Sequence, residues 1–435
     1  MSAGTHQNAG ADWHPPTTDP FEPVIVAARR TPIATAGHGL AQRSAERLAA
    51  PVLSALLADL GVDSDQVADV LLGNTMGPGG NLARVAALAA GLGTRVPGVT
   101  VDRQCGSGLE AVTLAASQVR ARRGDLYLAG GVESASTAPI RAWRPTTEGE
   151  EPRVYERAPF APPPYADPEM GEAADLVARE AGVSRARQDA YAARSHARAI
   201  AATEAKAFAD ELVPLDGLDH DERPRAGLDV RRLSRLPPAF VPETEGGTVT
   251  AGNSCGVNDG AAAVAVVSER VRARHGWPGL RLLDWECAGS DPARPGLGPV
   301  PAVRALLARN DLGLDDVGAI EFVEAFAGQV LACADALDLD PVRICPEGGA
   351  LALGHPWGAS GAVLLVRLFS RMVRADGPAL GLAAVAIGGG MGLAALVTRV
   401  GPGPGPEPGP EPGPEPGTDT PGDTPGTGPT PENEQ

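Results

Sequence analysis

The sequence contains very little lysine and no long apolar run. Lys206 is the only lysine among 37 basic residues, and alanine, glycine and proline are abundant. We read this bias as the mark of a GC-rich coding sequence, with no functional meaning. No stretch of about 18 residues is free of polar or charged side chains, which argues against a membrane span. The first twenty residues lack the basic and apolar regions of a secretory signal, so none is expected.

Cysteine is scarce as well, and its spacing excludes two classes of protein. The five cysteines are far apart and none lies in a Cys-x-x-Cys motif. This argues against a disulfide framework and against a zinc site, and it suits a reducing compartment. We therefore expect a cytoplasmic protein without a metal. The five are Cys105, Cys255, Cys287, Cys333 and Cys345.

The charge of the chain argues against nucleic-acid binding. The formal net charge is −17, and the segment 401–435 holds seven acids and no base, which leaves −10 (−17 minus −7) on the remainder. An acidic body of this kind binds nucleic acid poorly. With 435 residues, 43% of them hydrophobic, the chain can bury one large core or two fused ones.

Both ends of the chain are expected to be disordered. The segment 401–435 repeats Pro-Gly-Pro-Glu and then Thr-Pro-Gly, with no apolar residues to bury. The segment 1–22 is polar and contains several prolines. The folded body is therefore predicted to span 23–400.

Within the body, short apolar runs alternate with alanine-rich stretches, and this rhythm predicts an α/β fold. One segment, 141–168, has no periodicity and is rich in proline, glutamate and arginine. It is either a plain surface loop or a cover over a site. The predicted strands are 23–27, 70–73, 125–132 and 260–267, and the predicted helices are 44–60, 81–92, 111–119 and, less regularly, 171–209.

The segment around Cys105 carries the strongest chemical signal. It reads Val-Asp-Arg-Gln-Cys-Gly-Ser-Gly-Leu-Glu-Ala over 101–111, so an apolar run ends in a glycine-rich turn before a helix of small residues. A thiol at a helix N-terminus is predicted to favour the thiolate, because unpaired N–H groups and the helix dipole stabilise negative charge. The same N–H groups can hold the oxyanion of an attacked thioester.

A second glycine-rich segment, 348–361, contains His355, a candidate base for that thiol. Together Cys105 and His355 indicate a cysteine enzyme of acyl transfer. The pair Ser107-Gly108 recurs as Ser360-Gly361, each at the start of a stretch of small residues. This short match suggests a duplicated unit that supplies one catalytic element from each half.

Several further motifs occur in the order found in one family. They are Ala-Gly-Gly-Val-Glu-Ser at 129–134, Gly-Thr-Val-Thr-Ala-Gly-Asn at 247–253, Asn-Asp-Gly-Ala at 258–261, Gly-Leu-Gly-Pro-Val-Pro-Ala at 296–302 and Gly-Gly-Gly-Met-Gly at 388–392. With them, the chain from about 24 to 400 resembles the thiolases, acyl-CoA:acetyl-CoA acyltransferases.

The resemblance implies a five-layered α/β/α/β/α fold built from two similar halves. The N-terminal half would span 23–270, with an inserted loop domain at about 140–246, and the C-terminal half 271–400. It also implies a homodimer or homotetramer. The expected substrates are thioesters of CoA or of an acyl-carrier protein, with no further cofactor.

The resemblance also assigns roles to single residues. Cys105 matches the nucleophile and His355 the histidine that activates it, while the N–H groups of Cys105 and Gly388 match the oxyanion hole. The residues that match the substrate channel and its surroundings are Met170, Arg225, Cys255, Phe326, Val323 and Ala386.

Four of the matched positions depart from the family pattern. Val323 replaces the Asn of Asn-Glu-Ala-Phe, and Ala386 replaces the second catalytic Cys. Cys255 replaces a Ser that commonly faces the pantetheine, and Pro295 replaces a Met often found at the substrate pocket. The first two losses fall on the half-reaction that forms or breaks a C–C bond.

Three functions remain open at this point. The chain could load an acyl group on Cys105 and pass it to water or to a non-carbon acceptor. It could perform ordinary thiolysis or condensation with a substitute base, for which Glu324 is a candidate. It could also be a weakly catalytic or non-catalytic acyl-CoA-binding protein.

Overall fold

The structure, a computed structural model, describes residues 19–404 and Gly428. The predictions of disorder for 1–22 and 401–435 therefore lie almost wholly outside the described residues. The strands are β1 (Pro23–Arg30), β2 (Ala34–Thr35), β3 (Asp69–Gly73), β4 (Gly98–Val101), β5 (Leu126–Ser134), β6 (Arg141–Trp143), β7 (Arg153–Tyr155), β8 (Asn258–Ser268), β9 (Gly279–Gly289), β10 (Ala319–Phe322), β11 (Leu380–Ile387) and β12 (Met391–Val400). The helices are α1 (Ala45–Leu60), α2 (Leu82–Ala89), α3 (Ser107–Arg120), α4 (Met170–Glu180), α5 (Arg185–Glu204), α6 (Val230–Leu233), α7 (Glu269–His275), α8 (Pro299–Arg309), α9 (Ala327–Ala336), α10 (Ala350–Leu353) and α11 (Trp357–Phe369).

The two halves of the chain have the same strand order. In the N-terminal half the order is β4, β3, β5, β8 and β1. In the C-terminal half the order is β10, β11, β12 and β9, and a parallel bridge from Ile344 to Ile320 of β10 stands where β4 stands in the first half. The parallel and antiparallel pairings also correspond. The structure thus shows the predicted duplication.

A short antiparallel contact joins the halves. β1 pairs with β9 at two positions, Val24 with Arg281 and Ile25 with Leu280. Hydrogen bonding is therefore continuous across both halves, and the ten strands form one mixed sheet.

Three clusters of buried side chains separate five layers. The central cluster unites α3 and α11 with the inner faces of both half-sheets, through residues such as Leu109, Leu365 and Val385. A second cluster lies between α1 with α2 and the outer face of the N-terminal half. The third lies between α8 with α9 and the outer face of the C-terminal half. The layering α/β/α/β/α is therefore confirmed.

The central helices cross at the glycines of the repeated Ser-Gly pair. A Cβ on Gly108 would stand 2.7 Å from the carbonyl oxygen of Gly358, and a Cβ on Gly361 would stand 2.5 Å from the nitrogen of Leu109. Larger side chains would force the two backbones apart. Because α3 follows Cys105 and α11 follows His355, this close crossing brings the two candidate catalytic segments together.

Several predicted elements differ in extent from those observed. The helix predicted from residue 111 begins already at Ser107, and the one predicted at 81–92 covers only 82–89. The helical region predicted at 171–209 is divided into α4 and α5, and the aperiodic segment 141–168 contains the small hairpin of β6 and β7. The region between β5 and β8 holds this hairpin and α4 to α6. The exact domain boundaries stay predictions.

Candidate active site

Cys105 lies in a tight turn between β4 and α3. Gln104 adopts a left-handed backbone conformation with φ of 46°. The Ser107 hydroxyl holds the turn, because it accepts from the N–H of Arg103 at 2.8 Å and donates to the carbonyl of Gln104 at 2.6 Å. A Cβ on Gly106 would stand 2.5 Å from Cδ1 of Ile387, so the turn is packed against the end of β11.

The Cys105 thiol does not have the low pKa that its place before a helix suggested. Burial, followed by the neighbouring Cys255, raises the pKa of the Cys105 thiol to about 12. The sequence-based prediction of a thiolate is therefore wrong for the free protein. Desolvation exceeds the stabilisation that a helix N-terminus can give, because removing a charge from water is the larger effect. Cys105 is a neutral thiol until a base takes its proton.

Two backbone N–H groups act on the pKa of the Cys105 thiol. The N–H of Cys105 and that of Gly388 both act to lower the pKa of this thiol, against the effect of burial. These are the two groups that the sequence motifs matched to an oxyanion hole. A side chain at position 388 would collide with Phe160, because a Cβ on Gly388 would stand 2.7 Å from the Phe160 ring.

Part of the aperiodic segment 141–168 packs over Gly388 through the side chain of Phe160. Its N–H donates to the carboxylate of Asp167 at 3.2 Å, and Arg157 stacks its guanidinium 4.6 Å from the centre of the Phe160 ring. Arg157 also pairs with Asp167 at 2.8 Å. Of the two interpretations of 141–168, the structure favours a cover for residues 157–167.

His355 is buried and its ring is fixed by one hydrogen bond. Its Nδ1 lies 2.6 Å from the hydroxyl oxygen of Ser360, and that hydroxyl lies 3.0 Å from the carbonyl oxygen of Pro356. The carbonyl can only accept, so the Ser360 hydroxyl donates to Pro356 and accepts from Nδ1–H. This arrangement leaves Nε2 unprotonated and able to act as a base. Burial lowers the pKa of His355 to about 4, which keeps the imidazole neutral.

We expect Ser360→Ala to lower the rate of acylation of Cys105 by about 10- to 100-fold, because the Nδ1 proton loses its acceptor and the reactive tautomer is no longer favoured. The rate is measured by rapid quenching and intact mass. The circular dichroism spectrum should stay unchanged, and Ser54→Ala on the surface of α1 is the matched control. An unchanged rate with Ser360→Ala would exclude this positioning role.

Glu133 links the two halves behind the site. Its buried carboxylate accepts from the Asn74 side chain at 2.9 Å, from the Thr75 hydroxyl at 2.7 Å and from the N–H of Gly358 at 3.0 Å. Burial raises the pKa of Glu133, and these donors oppose that rise. The Glu133 side chain on β5 thus anchors the first turn of α11, the helix that follows His355.

Met170 and Phe326, two of the predicted channel residues, are connected through an aromatic ring that the sequence reading missed. The Phe240 ring occupies the space beside Gly171, the neighbour of Met170, where a Cβ would collide with it. Phe240 and Phe326 pack edge to face with centroids 6.2 Å apart. The structure therefore places the start of α4 and the Val-Glu-Ala-Phe segment on either side of the Phe240 ring.

Val323 begins this Val-Glu-Ala-Phe segment, Cys255 is hydrogen-bonded to it, and Ala386 is on the adjoining strand β11. The N–H of Cys255 donates to the carbonyl of Ala325 at 2.9 Å, and the N–H of Val323 donates to the carbonyl of Ala384 at 3.1 Å. Val323 is only 3% exposed and belongs to the central core, whereas Ala386 is half-buried. Burial raises the pKa of Cys255 to about 11. Neither Val323 nor Ala386 has a polar side-chain group to offer.

Glu324 is fully engaged elsewhere. It accepts hydrogen bonds from the Tyr191 hydroxyl at 2.8 Å, from the Ser195 hydroxyl at 2.6 Å and from the N–H of Leu351 at 3.3 Å. Burial raises its pKa. These contacts join α5, α10 and the strand end, so the structure supports a structural role for Glu324 and gives no support to a catalytic one.

The remaining predicted positions are peripheral or apolar. Arg225 is exposed, and its N–H donates to Nδ1 of His196 at 3.3 Å. Pro295 is buried at the start of a single 3-10 turn.

Within residues 19–404, no cluster of three or more His, Cys, Asp or Glu side chains could hold a metal ion. In the same range no helix has the length and apolarity needed to cross a bilayer.

The sequence motifs identified Cys105 as a candidate nucleophile and His355 as a candidate base. They did not reveal Ser360 as the partner of His355, Glu133 as the link to α11, or Phe160 as part of the cover. Ser360 and Glu133 stand inside quoted motifs, so their positions were visible although their contacts were not. Phe160 lies in a segment without periodicity and gives no sequence signal.

Comparison with known proteins agrees with this geometry. The sequence model described as the N-terminal domain of thiolase matches residues 23–270, and the one described as the C-terminal domain of thiolase matches residues 277–399.

Relatives are similar over nearly their whole length. The "Putative acetyl-CoA C-acetyltransferase VraB" of Staphylococcus aureus (strain MRSA252) is 42% identical over 383 residues, 86% of this chain and 99% of the relative. The "Putative acetyl-CoA C-acetyltransferase YhfS" of Bacillus subtilis (strain 168) is 43% identical over 376 residues, 86% of this chain and 98% of that protein.

Among solved structures, the crystal structure of the acetyl-CoA acetyltransferase from Bacillus anthracis superposes with a TM-score of 0.82 at 36% identity, over 87% of this chain and 99% of that one. The family models, these relatives and the shared architecture lead to one conclusion: the chain belongs to the thiolase family.

Proposed function

We propose that the protein takes an acyl group from a thioester of CoA, or of an acyl-carrier protein, onto Cys105 and passes it to a non-carbon acceptor or to water. The proposal rests on a contrast between acyl loading and chemistry at an α-carbon. The groups needed for acyl loading are present and supported by hydrogen bonds, whereas Val323 and Ala386 offer no acid, base or donor for chemistry at an α-carbon.

The loading step uses the neutral pair of Cys105 and His355. Nε2 of His355 takes the thiol proton as the sulfur attacks the thioester carbonyl, and the N–H groups of Cys105 and Gly388 hold the resulting oxyanion. The C–S bond of the donor then breaks, and the leaving thiolate takes the proton back from His355. The products are an acyl-Cys105 thioester and a free CoA or carrier thiol.

The transfer step repeats this chemistry with a different nucleophile. His355 takes a proton from water, an alcohol or an amine as the oxygen or nitrogen attacks the acyl-Cys105 carbonyl. The tetrahedral intermediate collapses, and the Cys105 sulfur leaves with the proton. No α-carbon is deprotonated at any point, so neither a second cysteine nor a water held by asparagine is needed.

Carbon–carbon chemistry is the second candidate, because the relatives carry the name of acetyl-CoA C-acetyltransferases. It requires a substitute base at the α-carbon. Glu324 is occupied by Tyr191, Ser195 and Leu351. The loss of a general base lowers a rate by about 10²–10⁴-fold and the loss of an oxyanion donor by about 10²–10³-fold. These magnitudes favour transfer to a non-carbon acceptor.

The proposal is tested by intact-mass analysis with a panel of acyl-CoA and acyl-carrier donors, followed by a screen of water, alcohols, amines and acetyl-CoA as acceptors. Turnover of the adduct by an oxygen or nitrogen nucleophile supports it. Rapid turnover by acetyl-CoA alone would support the second candidate. No adduct with any donor would favour the third function, acyl-CoA binding without catalysis.

We expect the acylation rate to be nearly independent of pH between about 5 and 8. An ordinary histidine loses its basic form below pH 6.5, but burial lowers the pKa of His355 to about 4, so its neutral form persists in this range. The pKa of Cys105, raised to about 12, keeps the thiol protonated throughout. Single-turnover rates across this range provide the measurement. A loss of half the rate near pH 6.5 would contradict the prediction.

The remaining expectations extend the proposal. We infer that the protein works in the cytoplasm as a homodimer or homotetramer, and that it needs no cofactor beyond the thioester substrate. The family resemblance supports the oligomer, and the scattered free cysteines support a reducing compartment.

A further inference from the structure

The guanidinium of Arg223 lies in the wall between two segments of the candidate site. One segment is the loop with Cys255 and Gly256, and the other is α10, which leads through Gly354 to His355. A Cβ on Gly256 would overlap the Arg223 guanidinium, so the cation occupies the space that a side chain there would need. On the other side, Nη2 of Arg223 stands 3.5 Å from the carbonyl oxygen of Leu351.

The Arg223 side chain is half-buried, and this cation has no anionic partner within residues 19–404. Its Nε is buried without a hydrogen-bond partner, and its only hydrogen bond there is the long one to Leu351. The ionisable groups that act on its pKa are the Cys255 thiol, which burial keeps neutral, and a second cation, Arg225. Buried charges in proteins are nearly always paired, because an unpaired one loses hydration without compensation.

The carboxylates of Asp221 and Glu222, next to Arg223 in the chain, do not neutralise it because both bind other groups. Asp221 pairs with the buried Arg30 at 2.7 Å and accepts from the N–H of Ile33 at 2.8 Å. Glu222 accepts from the N–H groups of Thr35 and Gly39 at 2.8 Å and 2.9 Å. The chain therefore places a guanidinium fork beside the site and commits the nearby acids to other contacts.

His196 lies close to the same two arginines and brings no negative charge to them. It is buried close to Arg223 and Arg225, and its pKa is lowered to about 4 by burial and by these two cations. The neutral His196 ring accepts a hydrogen bond from the backbone N–H of Arg225 and contributes no negative charge. An incoming anion would meet donors and no repelling carboxylate.

We propose that Arg223 forms a binding position for an anionic oxygen group of the thioester substrate, either a carboxylate on the acyl chain or a phosphate of CoA. The guanidinium offers two parallel donors, a geometry that suits both groups. Its place beside Cys255, next to the nucleophile, makes it a determinant of which acyl thioesters bind. The inference rests on the proposed function, because it assumes a thioester in this site.

The test measures binding in the absence of acyl transfer. In the Cys105→Ala background, calorimetric affinities are compared for acetyl-CoA, glutaryl-CoA, acetyl-pantetheine and glutaryl-pantetheine. Each is measured with Arg223 intact, with Arg223→Gln and with Arg223→Lys. The control is Arg95→Gln, since the Arg95 side chain is 81% exposed and pairs with Asp65 at the long distance of 3.6 Å.

We expect Arg223→Gln to weaken binding by about 10- to 100-fold for the ligands that carry the recognised anion, with partial retention by Arg223→Lys, as the loss of a charge-assisted hydrogen bond implies. A loss confined to both glutaryl ligands identifies the carboxylate. A loss confined to both CoA ligands identifies the phosphate. Equal losses for all four ligands, or none, would overturn the proposal.

A second measurement needs no variant at Arg223. Glutarate or inorganic phosphate, added alone to the unmodified protein, should raise the melting temperature more than acetate does at equal ionic strength. Equal shifts for all three salts would also count against the site. Failure of the proposed function would appear separately, as the absence of any Cys105 adduct, because neither measurement here requires an acyl-enzyme.

Discussion

Replacing Cys105 with alanine is expected to abolish the acyl-enzyme and to lower acyl transfer by about 10⁴- to 10⁶-fold, the range found when an enzyme loses its nucleophile. Alanine fits the turn without strain, because the Ser107 hydroxyl and the backbone of Arg103 and Gln104 hold its shape. The fold should therefore persist while the chemistry is lost.

Intact mass after incubation with acyl-CoA donors is the measurement, with melting temperature as the check on folding. Cys287→Ser is the matched control, since Cys287 is a half-buried thiol hydrogen-bonded to Arg103 and is not expected to carry an acyl group. It should keep the adduct. An adduct that persists in Cys105→Ala would refute the assignment of the nucleophile.

We expect the unmodified protein to perform carbon–carbon chemistry poorly, and we expect restoration of both missing groups to increase it. We expect Ala386→Cys with Val323→Asn to raise the exchange of acetyl-CoA α-protons with deuterated solvent by about 10²–10⁴-fold, the effect of a general base. The pair should gain more than either single change, because both groups act on one transition state.

The two changes differ in their structural consequences. Ala386 is half-buried, so a sulfur can be added there with little disturbance. Val323 lies in the central core, and an asparagine amide buried there without partners would lower stability by about 1–3 kcal/mol. Thermal melts of each variant are therefore needed beside the kinetic measurements.

Exchange is followed by proton NMR of acetyl-CoA, and condensation by the formation of acetoacetyl-CoA. Ala386→Ser and Val323→Leu are the matched controls, since the first adds a group too weakly acidic to act and the second adds only volume. If the unmodified protein already thiolyses acetoacetyl-CoA at about 10 per second or more, an ordinary enzyme rate, the inference from the missing residues fails.

Several strands and the helix α1 could be predicted from the sequence because local patterns specify them. Short apolar runs predicted β3, β5 and β8 close to their observed bounds, and the helix predicted at 44–60 is observed as α1, Ala45–Leu60. The start of α3 was placed too late because Ser107 and Gly108 are poor helix formers in isolation. In the fold, the packing of Gly108 against α11 compensates.

The chemistry of Cys105 and His355 illustrates the limit of sequence reasoning most clearly. Their identity and their place before small-residue helices were evident from two short motifs. The protonation states were not, because the raised pKa of the thiol and the lowered pKa of the imidazole both come from desolvation by residues distant in the chain.

By itself the sequence determined the α/β class, the duplicated halves, the place of Cys105 and His355 in two glycine-rich motifs, and the presence of Val323 and Ala386 where the family pattern has Asn and Cys. Each of these depends on residue identity and short-range spacing. Only the tertiary structure decided that Ser360 orients His355, that Glu324 is occupied, that Phe160 covers Gly388 and that Arg223 has no counter-ion among residues 19–404. Each of these is a contact or a missing contact between elements far apart in the chain, and burial and pairing in space have no signature in local sequence.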